Sequence, residues 1–147
     1  MALKSTIFKA NLSIADIDHN YYADHSLTLA RHPSETDERM MVRLLTFVLN
    51  ASETLEFGRG ISSDDEPALW DRDLTGAVQH WIEVGQPDEK PITKACNKSD
   101  HMLVYPFNHA AHVWWKGLEG KLARQSKKAN ETFWAAGGVE QAIESLD

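Results

Sequence analysis

The sequence predicts a protein of the α/β or α+β class, with a mixed β-sheet flanked by helices and an N-terminal β-hairpin. From Ser34 onward, segments with helical periodicity alternate with short apolar runs that are typical of strands. Before Ser34, two segments rich in β-branched and aromatic residues flank a polar turn at 16–20. The 147 residues contain no repeat and no low-complexity linker, so we expect one domain over 1–147.

The strands follow from composition and alternation. The two hairpin strands are expected over 6–14 and 26–31, as antiparallel partners. Apolar or β-branched runs predict further strands over 54–61, 77–84, 101–107 and 131–135. The run 77–84 is apolar on both faces, which is typical of a central strand. Segment 65–73 fits either a short helix whose first turn contains Pro67 or an extended segment.

The helices follow from apolar residues at helical spacing and from capping residues. Ser34 and Asp37 form a capping-box pattern, which predicts that the first helix begins at Ser34. Three further helices are expected: one beginning near Pro91, one over 110–122 and one over 139–146.

Charge and composition limit the possible functions. The formal net charge of −7 argues against a protein that coats DNA nonspecifically, because phosphate contacts need Lys and Arg. An acidic metal site of a nuclease is compatible with that charge. The single cysteine, Cys96, excludes an internal disulfide, and no stretch is apolar enough to span a membrane. We therefore expect a soluble, cytoplasmic protein that has no membrane partner.

Glu83, near the end of the apolar strand 77–84, is the strongest indication of a site. A carboxylate there costs several kcal/mol if it is charged and unpaired, and it is tolerated beside a metal ion, a cation or water. Asp65 lies in an acidic cluster upstream, and Lys94 lies on the helix that follows the strand. A strand–turn–helix connection returns the first turn of the helix to the strand end, so the Lys94 ammonium can approach Glu83.

These residues suggest metal-dependent phosphodiester hydrolysis. Carboxylate oxygens of Asp65 and Glu83 would bind Mg²⁺ or Mn²⁺, and Lys94 would hold the attacking water or offset developing charge. Glu38 is a further candidate, because spacings of 3, 4 and 7 residues from it reach apolar positions and place it on the core side of the first helix.

Structural explanations remain open for each candidate. Asp64, Asp65 and Glu66 also fit a solvated turn, and Glu38 also fits a first-turn acid that the helix dipole favours. Lys94 also fits an exposed lysine-rich helix face, and Glu83 also fits a strand-end residue that faces solvent or pairs with an arginine.

Five stretches of the chain resemble the YaeQ family. They are Ser-Leu-Thr-Leu-Ala-Arg-His-Pro-Ser-Glu-Thr at 26–36, Glu-Arg-Met-Met at 38–41, Asp-Asp-Glu-Pro at 64–67, Trp-Ile-Glu-Val-Gly-Gln-Pro-Asp-Glu at 81–89 and Lys-Ala-Cys at 94–96. The resemblance runs over nearly the whole chain. It implies a fold like that of restriction endonucleases and other PD-(D/E)xK nucleases, and it implies that members continue beyond the region matching 139–147.

The superfamily pattern also assigns roles to the candidate residues. The pattern is an aspartate followed, on the next strand, by Asp or Glu, any residue and Lys. Asp65 would correspond to the aspartate and Glu83 to the second acid, whereas Gly85 stands where the pattern has lysine. Lys94 would then supply a migrated lysine, and Glu38 would match the additional acid on the first helix of some members. The resemblance thus implies a Mg²⁺- or Mn²⁺-dependent nuclease. The alternative is a catalytically degenerate nuclease fold that binds nucleic acid or a protein partner.

Overall fold

The computed structural model describes residues 4–60, 65–107, 113–117 and 133–135. The chain forms two compact units, one up to Glu53 and the other from Thr54 onward. Each unit is described by itself.

The first unit is a long hairpin followed by a helix. Strand β1 (Thr6–Asp16) pairs antiparallel with β2 (Tyr21–Arg31) in unbroken register. Asn20 closes the turn between them with φ of 53°, a conformation that Asn tolerates better than most residues. Both strands were predicted, and each is longer than its apolar pattern suggested.

Helix α1 (Asp37–Leu49) follows the hairpin. The edge of the Phe47 ring on α1 meets the His25 ring on β2, with 5.2 Å between the ring centroids. The prediction that α1 begins at Ser34 is wrong. Thr36 is the N-cap, and its hydroxyl accepts from the Arg39 backbone N–H at 3.2 Å. The Ser34 hydroxyl instead contacts Nδ1 of His32 at 2.6 Å.

A buried ion network joins α1 to the segment before it. The side chain of Glu35 is only 2% exposed and pairs with the guanidinium groups of Arg39 and Arg43. Arg43 also donates to the backbone carbonyl of Ala30 on β2, at 3.1 Å. The network therefore ties α1 to the end of the hairpin through a carboxylate that has almost no access to water.

The second unit is a mixed sheet with strand order β3-β4-β5-β6-β7. Its elements are β3 (Leu55–Phe57), β4 (Leu69–Arg72), β5 (Val78–Val84), helix α2 (Glu89–Lys98), β6 (Ser99–Tyr105) and β7 (Phe133–Ala135). The strands β3, β4 and β5 pair antiparallel, and β5, β6 and β7 pair parallel. The predicted mixed sheet is confirmed, and so is the central position of the 77–84 segment.

Helix α2 covers one face of β5 and β6. Its Ile92, Ala95 and Cys96 form a buried cluster with Trp81 of β5 and with two residues of β6, Met102 and Val104. The parallel β5–α2–β6 connection therefore fixes where the carboxyl end of β5 lies relative to the first turn of α2.

The structure decides the alternatives for segment 65–73 and shortens one predicted strand. Segment 65–73 is extended in its second half, where it forms β4, and Pro67 is fully buried. The strand expected over 54–61 is shorter and ends at Phe57. Within the helix expected over 110–122, residues 113–117 are helical, and the remainder lies outside the described residues, as does the helix expected over 139–146. In the described part of the chain, no helix has the length and hydropathy needed to cross a membrane.

Gly58 ends β3 because two backbone segments approach closely there. A Cβ added at Gly58 would lie 2.2 Å from the carbonyl oxygen of Pro67, and the Gly58 N–H donates to the Ala68 carbonyl at 3.0 Å. The contact is with backbone, so a side-chain rotation cannot relieve it.

We expect Gly58→Ala to lower the free energy of unfolding by about 1–3 kcal/mol, because the β3–β4 backbone must shift. Urea unfolding measures the change. The matched control is Gly117→Ala, where an added Cβ meets nothing within 4 Å and the backbone is helical. That control is expected to be neutral or slightly stabilising. Equal stability of the two variants would contradict the close-approach explanation.

Candidate functional site

A cleft of about 400 Å³ lies where β5 ends and α2 begins. It is lined by Trp81, Glu83, Lys90, Pro91, Lys94 and Ala95. The cleft therefore brings together two of the residues predicted from sequence, Glu83 and Lys94, from adjacent elements.

The periodicities of strand and helix explain this lining. Trp81 and Glu83 are two residues apart on β5, so both point to the face that α2 covers. Lys90 and Lys94 are four residues apart on α2, so they lie one above the other on one helix face. One row from each element lines the cleft, which therefore contains one glutamate and two lysine side chains.

A neighbour on the same strand orients the Glu83 carboxylate. The indole Nε1–H of Trp81 donates to Oε1 of Glu83 at 3.1 Å. Trp81 is 7% exposed, and its ring meets that of Trp70 edge-on. A fixed ring that holds one carboxylate oxygen restricts the rotation of the Glu83 side chain.

The backbone conformation at residue 85 favours glycine over lysine. Its φ is +116°, and its N–H donates to the Tyr105 carbonyl at 3.0 Å. An L-residue is strained at that φ, so a lysine at 85 would disturb the end of β5. The backbone thus favours glycine at residue 85, and the lysines that line the cleft come from α2.

Asp65 lies toward the same edge of the sheet but is not among the residues that line the cleft. Leu69 of β4 stands opposite Ile82 of β5, and the two strands are antiparallel. The chain before Leu69 therefore runs past the carboxyl end of β5. Asp65 is exposed there, and its neighbour Glu66 pairs with Arg59 at 3.1 Å.

The prediction that Glu38 points toward the core is wrong. Glu38 is exposed in the first turn of α1, where the helix dipole favours an acid. It belongs to the first unit, whereas Asp65, Glu83 and Lys94 belong to the second.

Sequence reasoning missed two residues of the cleft, Lys90 and Trp81. Lys90 was interpreted only as part of an exposed lysine-rich helix face. It lies in the first turn of α2, however, and therefore stands beside the end of β5. Trp81 was counted as an ordinary strand residue. Its indole N–H two positions before an acid, on the same strand face, is the signal that could have identified it.

Few oxygen donors are available for a metal ion at the cleft. The described residues contain no group of three or more His, Cys, Asp or Glu side chains that could hold a metal. Mg²⁺ is usually held by one or two carboxylates and completed by water and substrate phosphate, so it does not need a protein cage. Glu83, with Asp65 at the same sheet edge, fits such a hydrated ion and does not fit an all-protein site.

Comparisons with known proteins agree on one family. The family model described as YaeQ protein matches residues 1–135. Proteins named "Uncharacterized protein YaeQ" from Salmonella typhi and Escherichia coli K12 are each 47% identical over 135 residues, which cover 91% of this chain and 73% of theirs.

Two crystal structures of YaeQ proteins share the fold. The one from Xanthomonas axonopodis pv. citri has 48% identity and a TM-score of 0.82, over 97% of this chain and 78% of that one. The one from Pseudomonas syringae has 38% identity and a TM-score of 0.81, over 90% of this chain and 70% of that one. The chain therefore belongs to the YaeQ family.

Proposed function

We propose that this chain is a Mg²⁺- or Mn²⁺-dependent nuclease with a variant PD-(D/E)xK site and a restriction-endonuclease-like core. One observation carries the proposal: Glu83 and Lys94 line one cleft at the end of the central strand. An acid and an amine at a strand end are the groups that a PD-(D/E)xK site uses to hydrolyse a phosphodiester, and their positions in space matter more than their sequence positions.

Glu83 and Asp65 are the residues that would hold the metal. When bound, the ion would lower the pKa of a water molecule and offset charge on the leaving oxygen. Trp81 would serve as a positioning residue, because its indole N–H donates to one oxygen of Glu83.

Lys90 and Lys94 would act on the phosphate and the water. An ammonium group is a compact charge with three donors on a flexible stem. Lys94, the lysine one turn further along α2, would hold the attacking water or stabilise charge on the phosphorane. Lys90 would bind a non-bridging phosphate oxygen and keep the scissile group in the cleft.

A second candidate function is a catalytically degenerate member that binds nucleic acid or a protein partner. Among the described residues that line the cleft, Glu83 is the only carboxylate. A cleft with a single carboxylate holds a metal ion weakly, which favours this second function. The two functions differ in a measurable way, since the degenerate protein would hydrolyse neither DNA nor RNA in the presence of Mn²⁺.

We expect Lys94→Ala to reduce hydrolysis by about 100-fold, the loss typical of removing one donor from a charged transition state. Mn²⁺ binding should be retained, because an ammonium group is not a metal ligand. Initial rates on single-stranded and duplex DNA and on RNA, with calorimetric Mn²⁺ titrations, test both expectations. Lys98→Ala is the control, because Lys98 is exposed in the last turn of α2 and is not among the cleft-lining residues. Unchanged hydrolysis by Lys94→Ala would remove Lys94 from the site.

A further inference from the structure

Two histidines stand side by side on the face of the sheet opposite to α2. His80 of β5 and His101 of β6 are directly opposite each other in the parallel register. Each immediately precedes a residue of the buried cluster beneath α2, which is Trp81 on β5 and Met102 on β6. Successive side chains on a strand point to opposite faces, so both imidazoles lie on the other side of the sheet from the cleft.

The two imidazole rings are close enough to bind one ion. Their centroids are 5.4 Å apart, and their planes differ by 24°. A tetrahedral Zn²⁺ ion lies about 2 Å from each ligating nitrogen, which places the centres of two bound rings about 5 Å apart. The His80 side chain is 43% exposed, and His101 is also exposed. Rotation about χ2, a broad torsion in histidine, can therefore bring one nitrogen of each ring to a common point.

A carboxylate on the next strand faces the first of these rings. Asp71 of β4 stands opposite His80, and its Oδ2 lies 3.7 Å from Nδ1 of His80. The Thr54 hydroxyl donates to the other oxygen, Oδ1, at 2.6 Å and so orients the acid. A small rotation of the imidazole closes the remaining distance to a hydrogen bond. Nε2 is then left with its lone pair for a metal, and histidines that bind metals almost always have such a partner on the other nitrogen.

We propose that His80 and His101 bind a Zn²⁺ ion, and that Asp71 is a positioning residue which orients His80. Imidazole nitrogen suits Zn²⁺, whereas Mg²⁺ and Mn²⁺ prefer carboxylate oxygen and water. The pair supplies two ligands and water supplies the others, since the described residues contain no group of three or more side chains that could hold a metal. The bound ion links β5 to β6. This site is separate from the proposed nuclease site, because the two lie on opposite faces of β5.

Calorimetric titration of Zn²⁺ with excess Mg²⁺ present tests the proposal, because Mg²⁺ competes for carboxylates and leaves imidazoles available. We expect the wild type to bind near one ion per chain. His80→Gln and His101→Gln should each weaken binding by about 100-fold or more, the upper end of the loss for a residue that only supports a ligand. His19→Gln is the matched control, because His19 is an exposed histidine 2.7 Å from an acid, Asp16. It should bind Zn²⁺ like the wild type.

Asp71→Asn tests the positioning role. The amide oxygen of Asn can still accept from the Thr54 hydroxyl, so this hydrogen bond is kept while the charge beside His80 is removed. We expect Zn²⁺ binding to weaken about tenfold, as is typical when a residue that orients a metal ligand is lost. Thermal unfolding without Zn²⁺ checks that each variant folds like the wild type.

No Zn²⁺ binding by the wild type would overturn the proposal. So would binding that both ligand variants retain, or binding that His19→Gln weakens as much as they do. Loss of Zn²⁺ binding in Glu83→Gln would place the ion in the cleft and contradict a separate site. Loss of Zn²⁺ binding in the two ligand variants, with Mn²⁺ binding unchanged, would support it. Hydrolysis of nucleic acid is measured separately and bears on the nuclease alone.

Discussion

Glu83→Gln is expected to lower hydrolysis of nucleic acid by more than about 100-fold, because the variant removes the carboxylate charge from the cleft. The fold should be unaffected. The amide oxygen of Gln can still accept the Trp81 indole N–H, so no buried donor loses its partner. Alanine is a poorer choice, because it would leave that donor unsatisfied. Initial rates in Mg²⁺, with thermal unfolding as the check on folding, measure the effect.

Asp100→Asn is the control for Glu83→Gln. Asp100 is exposed near the start of β6, and its neighbour Ser99 stands opposite Val78 at the start of β5, so it lies toward the end remote from the cleft. The two variants change net charge equally. Equal rates for both would show that the Glu83 carboxylate takes no part in the reaction.

Glu35→Ala is expected to cost about 3–5 kcal/mol of stability in the first unit, the typical loss when one partner of a buried ion pair is removed. Two guanidinium groups would lose their carboxylate, and the Arg43 side chain is only 7% exposed. Hydrogen exchange of the α1 and β2 amides, compared with that of the wild type, reports this loss within the unit.

Glu38→Ala is the matched control, since Glu38 is an exposed acid one turn along the chain from Glu35. It should cost less than about 1 kcal/mol, the value of a first-turn acid next to the helix dipole. If exchange accelerates equally in both variants, the Glu35 network does not stabilise this unit.

The error at Glu38 shows why hydrophobic spacing alone cannot define the buried face of α1. The spacing from Glu38 runs through Met41, which is 48% exposed. The buried side of the helix instead includes Arg43, at 6% exposure. A charged residue that is buried by an ion pair is invisible to a pattern that counts apolar residues, so the predicted stripe was rotated away from the real one.

The capping error has a similar origin. Ser34 and Thr36 are both of a residue type that is favoured at the N-cap. The choice depends on which hydroxyl is engaged elsewhere, and Ser34 contacts the His32 ring. Such a competing contact is set by three-dimensional geometry, which local sequence does not contain.

The sheet and the cleft were easier to predict from the sequence than the buried face and the N-cap of α1. The apolar run of β5, followed by Gly85 and Pro87, gave both the strand and its end, and the helix after it placed Lys94 beside Glu83. The position of Asp65 could not be predicted from the sequence in this way. It depends on how β4 pairs with β5, where Leu69 stands opposite Ile82, and that pairing is not contained in the local sequence.

Calorimetric titration of Mn²⁺ into the wild-type chain and into Glu83→Gln tests the central proposal, a metal-dependent site at the end of β5, most directly. We predict binding near one ion per chain in the wild type, and loss of that binding in the variant. No binding by the wild type, with or without an oligonucleotide present, would contradict the nuclease proposal. So would equal binding by both proteins, because the metal would then lie away from Glu83.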